Sequence, residues 1–378
     1  MNQKQLYIAV GAVVALLVGG GAYVMMKSKG AVVQQQAAPK VHPIHDDATF
    51  AKETKAYGMM PYAKAELEYE IYIPKDWTEV EAYDTLQENN QAILSRIALY
   101  RSPMVSTLQM ELEINALKLP HEISAKYWLR DYILKQGFSP EGEVIEHSTK
   151  SASAYYVLAG SPAAPSSLEY IAARISGSWV LLATYRAPLP LRNYVKYLQK
   201  KTIDSFKVLY PKEEPIEDQK VFTLVDSIKF NYPVSWEVLA PDFRDMNRLT
   251  VSLQNKGLAK TVEGYVRILA VRRSRSTDFQ TELDDQRKYF DNVMNLKITK
   301  LVSSDKSAAY NRFLFNRYEI YDVAPKKGTA SAQEIHFLAL GDKEWYVFMT
   351  LFTPKEQTNL YNWARNTQSF REIIKSVK

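Results

Sequence analysis

The sequence predicts an α+β protein with two tandem domains on antiparallel sheets, preceded by one N-terminal transmembrane helix. Three observations predict this fold class. An uncharged apolar stretch lies near the N-terminus, matching segments recur along the rest of the chain, and the segments between them alternate apolar and polar residues as half-buried strands do. The length of 378 residues allows two or three domains, and 46% hydrophobic with 24% charged residues is typical of a folded protein.

The composition narrows the range of functions. Cysteine is absent, which removes disulfides, thiolate catalysis and thiolate metal sites together. Tyrosine is abundant at 25 residues and glycine is scarce at 14, which favours aromatic-rich sheets over glycine-built phosphate loops. The net charge of +6 is modest, so we expect no nucleic-acid partner.

Residues 1–6 form a short tail, and residues 7–26 are long enough to cross a bilayer as a helix. Three interpretations are open: a retained anchor, a signal peptide cleaved after residue 22, and a buried helix of a globular core. The apolar run continues past Gly20 and Ala22 to Lys27 and Lys29, which favours the retained anchor.

The orientation of this segment follows from the short tail and the long remainder of the chain. We expect the tail inside and the rest outside the cytoplasm, in the periplasm if the source is Gram-negative. Gly11, Ala15 and Gly19 share one stripe of the predicted helix, where a second helix could approach closely. Self-association is one interpretation of this stripe, and the ordinary frequency of small residues in membrane helices is the other.

Residues 27–64 mix Gln, Ala, Pro and charges without a sustained period, as a tether does. His42, His45, Asp46 and Asp47 within it have ligand-type side chains at close spacing. A flexible segment with Pro43 between the histidines is more typical of solvated side chains than of a metal site, and we expect no metal or cofactor.

Beyond the tether the chain repeats itself. Pro74 and Trp77 match Pro233 and Trp236 at an offset of 159 residues, and Trp179 matches Trp345 at an offset of 166. A proline ends a strand because it lacks the ladder N–H, and the turn after it can deliver a large ring into the core. All six residues are therefore predicted to be structural core residues: Pro74, Trp77, Trp179, Pro233, Trp236 and Trp345.

Each copy also contains helix candidates between its alternating segments. The spacing of apolar residues predicts a helix in the middle of each copy, over 121–138 and 278–296, and another at its end, over 191–208 and 356–378. Strands surrounding the middle helix indicate an antiparallel sheet with helices packed on it. We therefore predict domains over 65–211 and 220–378, joined by a Pro-rich and charged linker over 212–219.

The Pro-x-x-Trp strand ends, the aromatic-rich sheet, the Trp-bearing late strand and a closing helix with "IDSF" (203–206) resemble the PsbP-like and DcrB-like superfamily. The resemblance spans most of both copies. It implies an α/β/α sandwich in each domain, and bacterial members of the superfamily are mostly non-enzymatic, exported and membrane-attached. This chain differs from a usual bacterial member in lacking a lipobox cysteine and in carrying two copies.

No catalytic motif is present: there is no G-x-S-x-G, H-E-x-x-H, P-loop or G-x-G-x-x-G, and the resemblance supplies no catalytic residues. We therefore predict that the protein is not an enzyme. Arg267, Arg272, Arg273 and Arg275 form a local basic cluster. The cluster could bind an anionic lipid, peptidoglycan or an acidic partner, and a charged strand end in solvent explains it equally well.

The favoured hypothesis is a single-pass protein of the bacterial inner membrane, anchored by residues 7–26, with both domains in the periplasm. It would act as a scaffold or assembly factor by binding other envelope proteins, for example in a secretion or conjugation system. The alternative is an extracytoplasmic ligand-binding protein that holds a small molecule between its domains. Co-purification with membrane partners favours the first hypothesis, and thermal stabilisation by a compound favours the second.

Overall fold

The structure is a computed structural model, and it describes residues 44–80, 84–86, 94–161, 165–225, 228–257, 261–275, 278–305, 313–326 and 332–378. Two eight-stranded antiparallel sheets dominate it. The predicted tail, the predicted transmembrane segment and residues 27–43 of the predicted tether lie outside the described residues. Within those residues no helix has the length and hydropathy that a membrane span requires.

In the part of the first half that the structure describes there are three α-helices and eleven strands. The helices are α1 (Asp47–Glu53), α2 (Ala125–Lys135) and α3 (Arg192–Asp204). The strands are β1 (Thr54–Met59), β2 (Tyr69–Pro74), β3 (Thr78–Glu79), β4 (Ser95–Arg101), β5 (Glu111–Lys118), β6 (Ser139–Pro140), β7 (Ile145–Ser148), β8 (Ser151–Leu158), β9 (Ser167–Ser176), β10 (Trp179–Pro188) and β11 (Lys207–Val208).

The large sheet of the first half has the order β3–β4–β5–β10–β9–β8–β6, with β7 also paired to β8. One face is covered by α3 and by a small sheet of β1, β2 and β11, and the other face is covered by α2. The central strand β10, "WVLLATYRAP", is apolar along most of its length because both of its faces are buried.

The described residues of the second half form two α-helices and ten strands. The helices are α4 (Phe279–Asn292) and α5 (Leu360–Ser376). The strands are β12 (Gln219–Val225), β13 (Ile228–Pro233), β14 (Trp236–Val238), β15 (Asp242–Asp245), β16 (Arg248–Lys256), β17 (Val262–Arg272), β18 (Leu296–Asp305), β19 (Phe315–Pro325), β20 (Gln333–Gly341) and β21 (Trp345–Pro354).

The large sheet of the second half has the order β14–β16–β17–β21–β20–β19–β18, with β15 paired to β16. One face is covered by α5 and the β12–β13 pair, and the other face is covered by α4. The central position of β21 corresponds to that of β10, and α5 follows β21 as α3 follows β10. The mixed α+β architecture with two sheets of the same order is consistent with two tandem domains.

The repeated prolines and tryptophans occupy equivalent places in the two sheets. Pro74 is the last residue of β2 and Pro233 is the last residue of β13. Trp77 and Trp236 follow at the same spacing, and both indoles are buried in the core beneath the small sheet. Neither indole N–H has a hydrogen-bond partner among the described residues, so each ring contributes through apolar burial and packing.

The folded part begins earlier than the sequence predicts. Residues 47–59, assigned above to the tether, form α1 and β1, and β1 pairs with β2. Asp46 caps α1: its carboxylate accepts a hydrogen bond from the backbone N–H of Thr49 at 2.8 Å. The sequence signal for β1 is weak because Thr54 is its only buried residue, so no alternation of apolar and polar residues appears.

Candidate functional site at the junction of the two halves

Residues 42–378 form one compact unit, in which α5 lies between the two halves. Its residues 363–370 are all buried, including the polar run from Arg365 to Ser369. The corresponding helix α3 instead keeps an exposed face with Asn193, Lys196 and Lys200. A helix that carries polar residues on every side yet is buried must be covered by a second surface, and here the first half supplies it.

The side of α5 that faces the second sheet is held by a buried amide network. Asn366 donates to the backbone carbonyl of Glu263 at 2.7 Å and to the hydroxyl of Thr353 at 3.1 Å, and it accepts from Asn255 at 3.0 Å. Gly264 makes this approach possible, because a Cβ at this position would lie 2.6 Å from the Asn366 side chain. The network fixes the distance between α5 and β17.

The side of α5 that faces the first half is anchored by Trp363. Its indole belongs to the hydrophobic cluster formed by α2 and the first sheet, and it packs edge-on against Tyr127 with ring centroids 4.9 Å apart. Its Nε1 donates to Glu334 on β20 at 2.7 Å. Glu334 also contacts His336, whose other ring nitrogen lies 2.6 Å from the Tyr318 hydroxyl. One side chain therefore joins the core of the first half to a polar chain of the second.

Two buried carboxylates, Glu122 and Glu217, form a second connection, called the carboxylate pair below. Glu122 lies in the loop before α2, and Glu217 lies in the linker. The backbone N–H of each residue donates to the carboxylate of the other, at 3.2 Å and 3.0 Å. The second oxygen of Glu217 accepts from the backbone N–H of Ser235, in the turn after β13, at 3.2 Å. The pair thus connects the first half, the linker and the second half.

The two carboxylates have different protonation properties. Burial raises the pKa of Glu122 to about 7. The backbone hydrogen bonds from Glu217 and Ile216 act in the opposite direction, and the nearby carboxylates of Glu372 and Glu217 raise the pKa further. Burial also opposes ionisation of Glu217, but contacts with His121, Ser235 and the Glu122 backbone outweigh it and lower its pKa. Glu217 is therefore ionised near neutrality, whereas Glu122 titrates there.

Arg365 is a buried cation on α5 that interacts electrostatically with Glu217. It is only 5% exposed, and burial lowers its pKa although Glu217 and Glu263 favour its charge. The Nη1 atom of Arg365 lies 3.9 Å from the Glu263 carboxylate, while its Nε has no hydrogen-bond partner among the described residues. A buried cation between two carboxylates, only loosely paired, makes the junction polar and sensitive to nearby charge.

Open grooves border the junction. One of about 460 Å³ lies between α2 and the loop before β7, and its lining includes Tyr127, Arg130 and Leu134 of the first half and Glu356 of the second. Arg130 and Glu356 form an ion pair across the groove. The volume is within the range of small-molecule sites, and the mixed lining of charged, aromatic and apolar groups would also suit a protein partner.

The residues singled out in the sequence are distributed over several surfaces. Arg267 lies under α4, where its guanidinium stacks on Tyr289 at 4.2 Å. Arg272 lies over Trp345 on the α5 side of the sheet, whereas Arg273 contacts Phe315 on the α4 side. Arg275 is exposed in the turn that follows. The four arginines therefore do not share one surface.

The remaining predicted site residues are either structural or outside the described ranges. Asp46 caps α1, and Asp47 pairs with Lys201 and accepts from Tyr197. No cluster of metal-ligating side chains occurs in the part of the chain that the structure describes. Trp179 and Trp345 are buried at the starts of β10 and β21. Outside the described residues lie the three small residues of the predicted membrane helix, Gly11, Ala15 and Gly19, and also His42.

Comparisons with known proteins give likeness in structure only. No protein-family model matches the chain, and no curated protein sequence is significantly similar to it. Among solved structures, the PsbP protein (CyanoP) of Synechocystis sp. PCC 6803 is 14% identical, covering 41% of this chain and 92% of that chain with a TM-score of 0.29. A protein of Bacteroides thetaiotaomicron is 15% identical, covering 42% of this chain and 47% of that chain with a TM-score of 0.25.

A third solved structure is the di-domain ARO/CYC StfQ from the steffimycin biosynthetic pathway. It is 6% identical and covers 72% of this chain and 74% of that chain, with a TM-score of 0.13. At such identities and TM-scores these likenesses carry no argument about the fold, activity or partners of this chain.

Proposed function

We propose that the protein is a membrane-anchored scaffold or assembly factor of a bacterial envelope complex, with two tandem PsbP-like domains in the periplasm. Residues 7–26 would hold it in the inner membrane as a single-pass protein, and it would act by binding other envelope proteins rather than by catalysis. A secretion or conjugation system is the kind of complex that such a protein would serve.

The observation that carries the proposal is the junction built around α5. Trp363 packs into the hydrophobic cluster of the first half and bonds to Glu334 of the second, and the carboxylate pair connects the first half, the linker and the second half. The Asn366 network fixes α5 to the second sheet. A body joined in this way presents the surfaces of both sheets at a fixed spacing, which is what a scaffold has to supply. The groove beside α2 is our choice for a partner-binding surface, because Leu134 at its border is 51% exposed.

Affinity purification of the tagged full-length chain from membranes, followed by mass spectrometry, tests the proposal. We expect envelope proteins to co-purify, and we expect Leu134→Asp to reduce their yield. Val293→Asp is the matched control, since Val293 is 60% exposed and does not line the groove. Recovery of the chain alone, as a monomer, would contradict the scaffold.

A ligand-binding protein is the second candidate, favoured by the volume of the same groove. Under this alternative, the isolated chain would gain thermal stability from a small molecule without any protein partner. Replacing Tyr127 with Ala would then remove the stabilisation by the compound, and no envelope protein would co-purify with the parent chain.

A further inference from the structure

We propose that the carboxylate pair is a proton-dependent latch between the two halves: it holds the loop before α2, the linker and the β13–β14 turn together when Glu122 is protonated, and it loosens when Glu122 ionises. The inference does not depend on the identity of any partner. Its geometric basis is the set of three backbone-to-carboxylate hydrogen bonds that cross the junction.

The connection made by these bonds is local and specific. Glu217 uses one oxygen for the first half, through the N–H of Glu122, and the other for the second half, through the N–H of Ser235. Glu122 accepts the N–H of Glu217 in return. Opening the junction at this point would break all three bonds and would expose Glu122, which is only 4% exposed in the closed form.

The groups that face Glu122 decide what ionisation does. Glu217 on the linker and Glu372 on α5 are carboxylates, and both oppose a negative charge on Glu122. His121 lies beside Glu217, and its Nδ1 is 3.4 Å from the Oε1 of Glu217. Arg365 on α5 interacts electrostatically with the carboxylates of Glu217 and Glu263. The charge of Arg365 is therefore engaged by Glu217 and Glu263, and the second buried carboxylate, Glu122, is left poorly compensated.

The sign of the pH dependence follows from linkage. Glu122 has a pKa of about 7 in the closed form and the ordinary value of 4.5 when exposed, so the closed form binds the proton more tightly. Closure is therefore strongest below pH 4.5, weakens as the pH rises, and levels off above about pH 7. Between pH 5 and pH 8 the opening equilibrium should increase roughly 70-fold if opening exposes Glu122 fully.

Amide hydrogen exchange of the full-length chain in detergent micelles measures this opening. Segments 119–124, 214–219 and 234–236 contain the three bonded N–H groups. After correction for intrinsic exchange rates, we expect their protection to fall by tens of fold from pH 5 to pH 8 in the parent protein. Constant protection over this range, within about twofold, would overturn the proposal, and this result needs no variant to fold.

Variants assign the effect to Glu122. Glu122→Gln keeps the acceptor oxygen without the charge, so its protection should remain high and independent of pH. Glu213→Gln, an exposed carboxylate of the same linker, should respond like the parent. His121→Asn should also retain the response. A response lost in His121→Asn but kept in Glu122→Gln would reject Glu122 as the titrating group.

Discussion

Replacing Trp363 with alanine should both destabilise the protein and separate the unfolding of its two halves. The indole is 8% exposed, and it contributes to the hydrophobic cluster of the first half while its N–H is bonded to Glu334 in the second. Removing a buried tryptophan costs about 3 to 5 kcal/mol of the free energy of unfolding. Glu334 is half-buried and also loses the hydrogen bond from the indole, which favours the upper part of this range.

Urea unfolding, followed by tryptophan fluorescence and by far-UV circular dichroism, tests this prediction. We expect the parent to unfold in one transition, because α5 belongs to both cores. The Trp363→Ala protein should unfold at lower urea, with two resolved steps or a reduced dependence on denaturant. Trp363→Phe, which keeps a ring but loses the N–H, should cost about 1 to 2 kcal/mol without separating the steps.

Trp128→Ala is the matched control for this experiment. Trp128 is as well buried as Trp363 and lies in the same cluster, but it stacks on Tyr132 of its own helix. Its removal should lower stability by a similar amount and leave one transition. The reasoning would be refuted if Trp363→Ala cost less than about 1 kcal/mol, or if it kept a single transition with an unchanged slope.

Three further predictions concern separate features. Gly264→Ala should destabilise the protein by about 1 to 3 kcal/mol in thermal or urea unfolding, because the added Cβ collides with Asn366. Gly142→Ala is the comparison: this glycine has open space around it, so the substitution measures the cost of its φ of +93° without a collision. The free energy of unfolding should fall by up to about 3 kcal/mol between pH 4.5 and pH 8 through Glu122, and Glu122→Gln should remove this part of the pH profile. Alkaline phosphatase fused after residue 378 should be active in a bacterial host, and an inactive fusion beside an active cytoplasmic reporter would reverse the predicted orientation.

The central parts of both sheets could be predicted because their sequence pattern is local. The predicted helix over 121–138 contains α2, and the one over 278–296 contains α4. The closing helices α3 and α5 also lie within their predicted ranges. Strands such as β10 and β21 are apolar because both faces are covered, so composition alone indicates a buried strand.

The junction could not be predicted because its contacts join distant parts of the chain. Glu122 and Glu217 are 95 residues apart, and neither carboxylate carries a local signature that separates it from a solvated one. The polar run 365–369 would be assigned to a solvent-facing helix surface from its pattern, yet all of its residues are buried at the junction, with Asn366 against the second sheet. The basic cluster illustrates the reverse case: Arg267 and Arg272 lie on the same strand, β17, but their odd spacing puts their side chains on opposite faces of the sheet.

The position of Trp363 has a consequence for dividing the chain. The first half does not complete its own outer layer, since a ring from the last helix of the chain fills part of the space beside α2. A fragment ending at residue 211 would therefore leave an empty apolar slot open to water and would tend to aggregate. A synthetic peptide with the sequence of α5 could fill the same slot, so the first-half fragment could be completed by a separate piece of the second half.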